Sequence, residues 1–263
     1  MTVQFATFRE RPDLQEAVWY EDFSSNWPAF IVQGGVLGDL YYDSFFLEPH
    51  RAPFLDYALV AFDSERPDTP LARGFSVPFV FGTKARGALP DNGWDGVVRW
   101  ADWDLKAGRT PNAVSAIEIN VHPNAQGRGL SALMLGVMRE NAKRLGFTDL
   151  YAPVRPSAKH LEPHTPMQEY AFRVRDDGLP VDPWLRVHAR AGARIVKVAP
   201  TSMTASGTLS QWRAWTGLAF QHSGEVVVPG ALQPVFVSVE HGVATYTEAN
   251  VWMHHVIVIG DSR

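Results

Sequence analysis

The sequence predicts an α/β fold, a sheet with covering helices, and three stretches carry that prediction. Residues 57–63 and 71–81 are rich in β-branched and aromatic side chains and flank a polar connection with two prolines, the pattern of a hairpin. Residues 114–121 alternate, stop at His122-Pro123, and turn through Gln126-Gly127-Arg128-Gly129-Leu130-Ser131 into an amphipathic helix. A short helix that ends at Gly192 then runs into a strand over 193–198. Strand, glycine turn, helix, strand, then helix and strand again is the order of a helix-covered sheet.

Taken in order, residues 9–50 predict one or two short helices whose ends are blurred by Gly34-Gly35 and the aromatic cluster at 41–46. Gly87, Pro90 and Gly93 lead into a helix over 95–106 that ends near Gly108. Trp100 and Trp103 share a face there and are expected to pack this excursion onto the body. Strand 114–121 turns Ser115, Ile117, Ile119 and Val121 one way, and Val114, Ala116, Glu118 and Asn120 the other. Helix 129–145 spaces Leu130, Leu133, Met134, Val137, Met138 and Leu145 along one stripe and stops at Gly146. Residues 149–154 form a short strand. Asp182 followed by Pro183 is an N-cap with a first-turn proline, opening a helix over 184–191. Further strands are expected at 225–228, 234–240 and 243–247, with Trp212, Trp215 and Trp252 as core.

Composition bounds the function. The chain has 263 residues, enough for one large domain or a core with an extension. A net charge of −4 exerts no general pull on nucleic acid or anionic membrane, so any anion site must be local. The absence of cysteine excludes disulfides, thiolate metal sites and a cysteine nucleophile. Residues 1–21 lack the apolar run of a signal peptide, and no segment approaches the ~20 apolar residues of a membrane span. The expectation is a soluble cytoplasmic protein, monomer or homodimer, with no nucleic-acid or membrane partner. His160 and His164 have helical spacing, but Pro163 and Pro166 oppose a helix, and His254-His255 point oppositely in a strand. No metal site is expected. Hydrolase and dinucleotide readings lack their glycine motifs.

The loop after 114–121 is the chemical signal. A strand that stops at a proline and turns through glycines into a helix leaves several amide N–H groups aimed at one spot, and with the helix dipole behind them they favour an anion. Gln126-x-x-Gly129-x-Ser131, a few residues after Val121 and Pro123, resembles the acyl-CoA pyrophosphate loop of the Gcn5-related N-acetyltransferase (GNAT) superfamily; Ser131 stands where glycine or alanine is usual. The strand at 149–154 and the helix entering Gly192-Ala193-Arg194-Ile195 follow in that family's order. The resemblance covers roughly residues 55–81 and 114–200. It implies a single domain with a mixed, mostly antiparallel sheet splayed after its fourth strand and flanked by helices. Residues 1–56 would be a divergent N-terminal part, 57–200 the core with the acyl-CoA site, and 201–263 an extension completing the sheet. It further implies acetyl-CoA or another acyl-CoA as co-substrate, pantetheine along Ile119 and Val121, and pyrophosphate on the amides of Gln126, Gly127, Arg128, Gly129, Leu130 and Ser131.

Counting back from Gly192, His188 occupies the position that often bears the family's general-acid tyrosine. Acyl transfer to an amine needs a base for the amine proton, donors at the thioester oxygen and an acid for the thiolate. Glu118 is the base expected here, the N–H near Val121 serves the oxygen, and His188 serves the sulfur. Arg155-Pro156-Ser157 together with His188 also resembles a narrower branch, the GNAT-like domains of polyketide-synthase loading modules and their stand-alone relatives. That branch implies malonyl-thioester decarboxylation, with Ser157, where threonine is expected, and His188 as catalytic residues. Arg155 or Lys159 would bind the substrate carboxylate. The expected activity is therefore N-acyltransfer to a small-molecule amine. The alternatives are a malonyl-CoA or malonyl-carrier-protein decarboxylase or S-acyltransferase, which would work on an acyl thioester and with an acyl carrier protein, and an acyl-CoA-binding protein without catalysis.

Overall fold

The computed structural model describes residues 2–19, 23, 25–36, 38–47 and 52–258. Of the stretch expected to hold short N-terminal helices, residues 20–22, 24, 37 and 48–50 lie outside the described residues. The elements run β1 (Val3–Thr7), α1 (Ala29–Val32), α2 (Asp39–Phe46), β2 (Ala58–Asp63), β3 (Arg66–Phe79), α3 (Gly93–Lys106), β4 (Ala113–Val121), α4 (Leu130–Arg144) and β5 (Asp149–Val154). They continue with α5 (Met167–Tyr170), α6 (Pro183–Arg190), β6 (Arg194–Thr208), α7 (Leu209–Thr216), β7 (Gly224–Val226), β8 (Val235–Ser238) and β9 (Val243–Val256). All the strands join one sheet in the order β1-β2-β3-β4-β5-β9-β8-β7, with β6 on the other edge of β9.

Both faces of the sheet are covered, and β2 shows why its sequence reads as an unbroken apolar run. Ala58, Val60 and Phe62 enter one apolar cluster, while Leu59 and Ala61 enter the other, beneath α4. The hairpin is tighter than expected. Its turn is only Ser64 and Glu65, because Asp63 pairs with Arg66 and Phe62 with Pro70, so Pro67, Asp68 and Thr69 bulge from the ladder. Prolines that cannot donate a ladder hydrogen bond are placed there at little cost.

The strict alternation expected for β4 is broken by another bulge. Phe75 faces Glu118 and the next residue, Ser76, faces Ala116, which leaves Ile117 unpaired. The extra residue switches the inward face: Ala116 packs with the α4 side, Ile117 with the opposite side, and Ile119 with the α4 side again. The carbonyl of Ile117 is satisfied by the Trp94 indole N–H at 3.0 Å.

β4 and β5 are parallel and pair only at Val114–Leu150 and Ser115–Tyr151. Beyond Ser115 they part, and β5 instead pairs along its whole length with β9, Asp149 opposite Val256 and Val154 opposite Val251. The sheet is mixed, mostly antiparallel and open after β4, as the resemblance implies. β9 exceeds its expected span, 243–247, because it is the central strand of the C-terminal half, between β5 and β6. β6 likewise runs past Val198. The ladder skips from Ala199 to Met203 and resumes, so Pro200 marks an irregularity and not a strand end. Two helical expectations also change. Trp103 is 48% exposed, because the buried face of α3 runs through Trp94, Val97, Val98 and Ala101; only Trp100 packs inward. Leu133 is exposed at the edge of the α4 stripe.

Candidate active site

The parting of β4 from β5 opens a cavity of about 760 Å³. Glu118, Ile119, Val121, Gln126, Arg155, Ser157 and His188 line it, so most of the residues singled out in the sequence meet in one place. The N-terminal segment lines it as well, through Trp19, Asn26, Trp27, Asp39, Tyr42 and Asp43.

The glycine loop runs on from Gln126, which lines the cavity. Gly127 and Gly129 hold φ of 75° and 73°, a left-handed backbone that glycine adopts without penalty. Gly129 is the N-cap of the 15-residue α4 and has no side chain to cap it, so the first-turn amides keep their capacity for an anion. Arg128 is exposed, whereas Leu130 anchors the loop in the core beneath. The Gln126 side chain folds back, donating to Asn26 Oδ1 at 2.8 Å and to the Val121 carbonyl at 3.3 Å. Asn26 donates in turn to the Val121 carbonyl at 2.8 Å, which ties the N-terminal segment to the end of β4.

Glu118 is buried, and its carboxylate is engaged. Oε1 accepts from Arg73 Nε and Nη2 at 3.0 and 2.8 Å, and Oε2 accepts from the Tyr42 hydroxyl. Arg73 also donates to the Val18 carbonyl at 2.7 Å and lies 4.3 Å from the Trp19 ring centroid. Burial, reinforced by the Glu118 charge, pushes the Tyr42 hydroxyl well above its ordinary pKa, so it acts as a donor only. Both carboxylate oxygens are thus engaged, one by the Arg73 guanidinium and the other by the Tyr42 hydroxyl.

Asp182 organises the opposite wall. It caps α6 as its sequence predicts, accepting from the N–H groups of Trp184 and Leu185 at 2.9 and 3.0 Å. The same carboxylate also takes the N–H groups of Ser157 and Ala158 and the Tyr170 hydroxyl. It thereby binds the segment after β5 to the helix carrying His188, and brings Ser157 and His188 to one cavity. His188 is buried, edge-on to Trp184 at 4.7 Å, and its Nδ1 lies 3.0 Å from Nε2 of His255. Burial, with the His255 ring adding to it, lowers its pKa to about 3, so the ring is neutral near pH 7.

Arg155 and Lys159 are not available cations. Arg155 Nε contacts both oxygens of the fully buried Glu248 at 3.1 and 2.9 Å, and Nη2 donates to the Gly230 carbonyl at 2.6 Å. Lys159 is 1% exposed, does not line the cavity, and donates to the carbonyls of Glu162, Pro163 and Leu232. Both secure the loop after β5 to the C-terminal part of the chain, because carbonyls and a carboxylate reach them before any ligand can.

Sequence reasoning missed Asp39, Asp43, Tyr42 and Arg73, whose place at the site depends on how the N-terminal segment folds over β4. His255 it weighed only beside His254, as a metal pair, and did not place against His188. His188 and His255 stand 67 positions apart, and only the packing of α6 on β9 brings them together.

No protein-family model matches the chain. The arginine N-acetyltransferase avaD of Aspergillus versicolor is 32% identical over 273 residues, spanning 95% of this chain and 93% of the relative. Among solved structures, the loading GNATL domain of CurA from Lyngbya majuscula aligns over 98% of both chains with a TM-score of 0.53 and 15% identity. The GphF GNAT-like decarboxylase in complex with isobutyryl-CoA covers 98% of this chain and 100% of its own, with a TM-score of 0.48 and 14% identity. The CurA likeness, at that identity, speaks for the fold alone. The fungal relative says more, since it matches along nearly the whole of both sequences: the chain belongs to the GNAT superfamily and is an acyl-CoA-dependent N-acetyltransferase.

Proposed function

We propose that the enzyme moves the acetyl group of acetyl-CoA to a small amine carrying a second positive charge, with arginine as the fitting acceptor. The observation that carries this reading is the pair of carboxylates, Asp39 and Asp43, that the N-terminal segment adds to the cavity lining. Asp39 is raised to about 6, chiefly by burial and further by Asp43, while the Val36 N–H opposes the shift. A cation seated there relieves both penalties, and the indoles of Trp19, Trp27 and Trp94 suit a flat guanidinium. The relative's activity on arginine supports the same acceptor class.

In this reading acetyl-CoA lies with its pyrophosphate on the amides at the start of α4. Its pantetheine follows the β4 edge at Ile119–Val121 that β5 leaves unpaired, and its thioester lies beside His188 and Ser157. Glu118, neutralised by Arg73, holds Tyr42 and the acceptor wall in place. The malonyl-decarboxylase alternative needs a cation for the malonyl carboxylate. Arg155 and Lys159 are committed elsewhere, and carboxylates stand where a malonyl anion would be repelled.

An amine panel with acetyl-CoA, read by thiol release, tests the proposal. Arginine is expected to exceed an uncharged amine of similar length in kcat/KM by roughly tenfold to hundredfold, the worth of one charge-assisted pair. Equal turnover of charged and uncharged amines would sink it. Asp39→Asn is expected to raise the KM for arginine and leave that for acetyl-CoA unchanged. Because its pKa is raised, Asp39 is negative above about pH 6 and neutral below. The arginine KM of the unsubstituted enzyme therefore climbs as pH falls through that value, and in Asp39→Asn the dependence disappears. In the glycine loop, Gly129→Val forces a β-branched residue into the left-handed region, at about 1–2 kcal/mol. Nothing else lies within 4 Å of the added Cβ, so the strain acts on the loop alone. The expected result is roughly tenfold in the KM for acetyl-CoA at little loss of kcat; an unchanged KM would argue that the loop does not hold the cofactor.

A further inference from the structure

Asp95 lies in the first turn of α3 and is buried. A carboxylate at that place ordinarily serves the dipole of its own helix. Asp95 instead gives both oxygens to amides of other elements. Oδ1 accepts from the N–H of Gly38 at 2.9 Å, 57 positions away, and Oδ2 from the N–H of Thr204 at 3.2 Å, 109 positions away. Both donors are backbone N–H groups, so the direction of each hydrogen bond is fixed by the covalent structure.

Gly38 is the N-cap of α2 and has no side chain to cap it. Its carbonyl begins the helix, accepting from the N–H groups of Tyr41 and Tyr42 at 3.0 and 3.1 Å, while its own N–H goes to Asp95. The approach is close: a Cβ on Gly38 would meet Trp94 Cζ3 at 2.5 Å and Asp95 Oδ1 at 2.9 Å. The start of α3 is in turn fixed to β6. The Trp94 N–H donates to Ser202 Oγ at 2.9 Å, and a Cβ on Gly93 would meet that same oxygen at 2.2 Å. Contacts therefore run unbroken from the sheet, through residues 93–95, to the first residue of α2. That helix carries Asp39, Tyr42 and Asp43, and all three line the cavity; Asp95 does not.

We propose that Asp95 is a positioning residue for acceptor selection, holding the start of α2 against α3 so that Asp39 and Asp43 stand where a cationic acceptor meets them. The inference rests on the reading that these two carboxylates take the acceptor's second charge. An eight-residue helix does not hold its shape or place by its own hydrogen bonds, so its anchors set where its charges lie. Asp95 is one anchor, and the Tyr42 hydroxyl on Glu118 is another. Only a carboxylate suits the first. Its two oxygens accept from two amides, whereas an asparagine would turn its NH₂ group toward one of them, donor against donor. The buried N–H left unsatisfied then favours a shift of α2, and a charged acceptor feels that shift more than an uncharged one. The glycine loop and the open edge of β4 belong to elements that Asp95 does not hold.

Steady-state kinetics with acetyl-CoA and two acceptors, arginine and an uncharged amine of similar length, test this. In Asp95→Asn, kcat/KM for arginine is expected to fall about tenfold, chiefly through KM, the worth of one hydrogen bond to a charged group. Values for the uncharged amine and the KM for acetyl-CoA should stay unchanged. Gly38→Ala, at a φ of −80° that alanine adopts freely, wedges α2 away from α3 with every carboxylate intact and should give the same split. It decides the matter if Asp95→Asn does not fold. Because Asp95 acts through the charges of α2, adding Asp95→Asn to an Asp39→Asn, Asp43→Asn enzyme should cost arginine nothing further. A merely structural role lowers both acceptors together. That result, an unchanged arginine KM in the folded variants, or a full further loss in the Asp39→Asn, Asp43→Asn background overturns the proposal. An Asp39→Asn, Asp43→Asn enzyme that still prefers arginine would instead refute the acceptor reading itself, and the role of Asp95 would fall with it.

Discussion

Replacing Arg155 by methionine is expected to destabilise the fold by about 3–5 kcal/mol, the cost of leaving a buried charge without its partner. The stranded group is Glu248, whose side chain is 0% exposed and also accepts from the Tyr246 hydroxyl at 2.7 Å and from Asn250 Nδ2 at 3.0 Å. Those two neutral donors do not replace a guanidinium contacting both oxygens. The loss should appear as a lower urea midpoint and a lower Tm, with the KM for either substrate little altered in the folded fraction. Removing both charges, as Arg155→Met with Glu248→Leu, should recover much of it, since the desolvation penalty is then absent. A variant that melts like the wild type and yet binds substrate poorly would return Arg155 to the substrate-binding role its sequence position suggests.

His188→Ala should lower kcat by about 10²- to 10⁴-fold, the range spanned by a positioned acid–base group. The KM for acetyl-CoA should hold, because the glycine loop and the open edge of β4 lie away from the substitution. The pH profile adds a second check. With its pKa near 3, the His188 ring does not titrate between pH 6 and 8, so kcat should carry no step near the ordinary histidine pKa of 6.5. Such a step, present in the wild type and lost in the variant, would contradict the buried neutral ring. The sign for stability follows. The unfolded chain takes up protons at His188 and His255 below about pH 6.5 while the folded chain does not, so these rings make the fold less stable as pH falls toward 4.

Much of the site is legible in the sequence because it is made by local chemistry. Gly127 and Gly129 mark a left-handed turn, Asp182-Pro183 marks a helix start, and Val121-His122-Pro123 marks a strand end; each is enforced within a few residues. The offset from Gly192 sufficed to select His188. The faces of β4 were less legible. A bulge at Ile117 has no sequence mark, since isoleucine is as suited to a ladder as to a bulge, and its carbonyl finds its donor in Trp94, 23 positions away. The length of β9 was hidden because its run past residue 247 is stabilised by β5 and β6 on either side and not by its own pattern.

The sequence by itself determined the α/β fold class and the glycine turn into a helix, since these depend on backbone freedom, caps and periodicity, and its resemblance to the GNAT superfamily named the co-substrate to look for. Only the tertiary structure decided which charges are available for chemistry. Arg155 finds Glu248 across 93 positions, Glu118 finds Arg73 across 45, and His188 finds His255 across 67. An ionisable side chain acquires its role from the group packed against it. That partner is chosen by the sheet order, which no local stretch of this chain encodes.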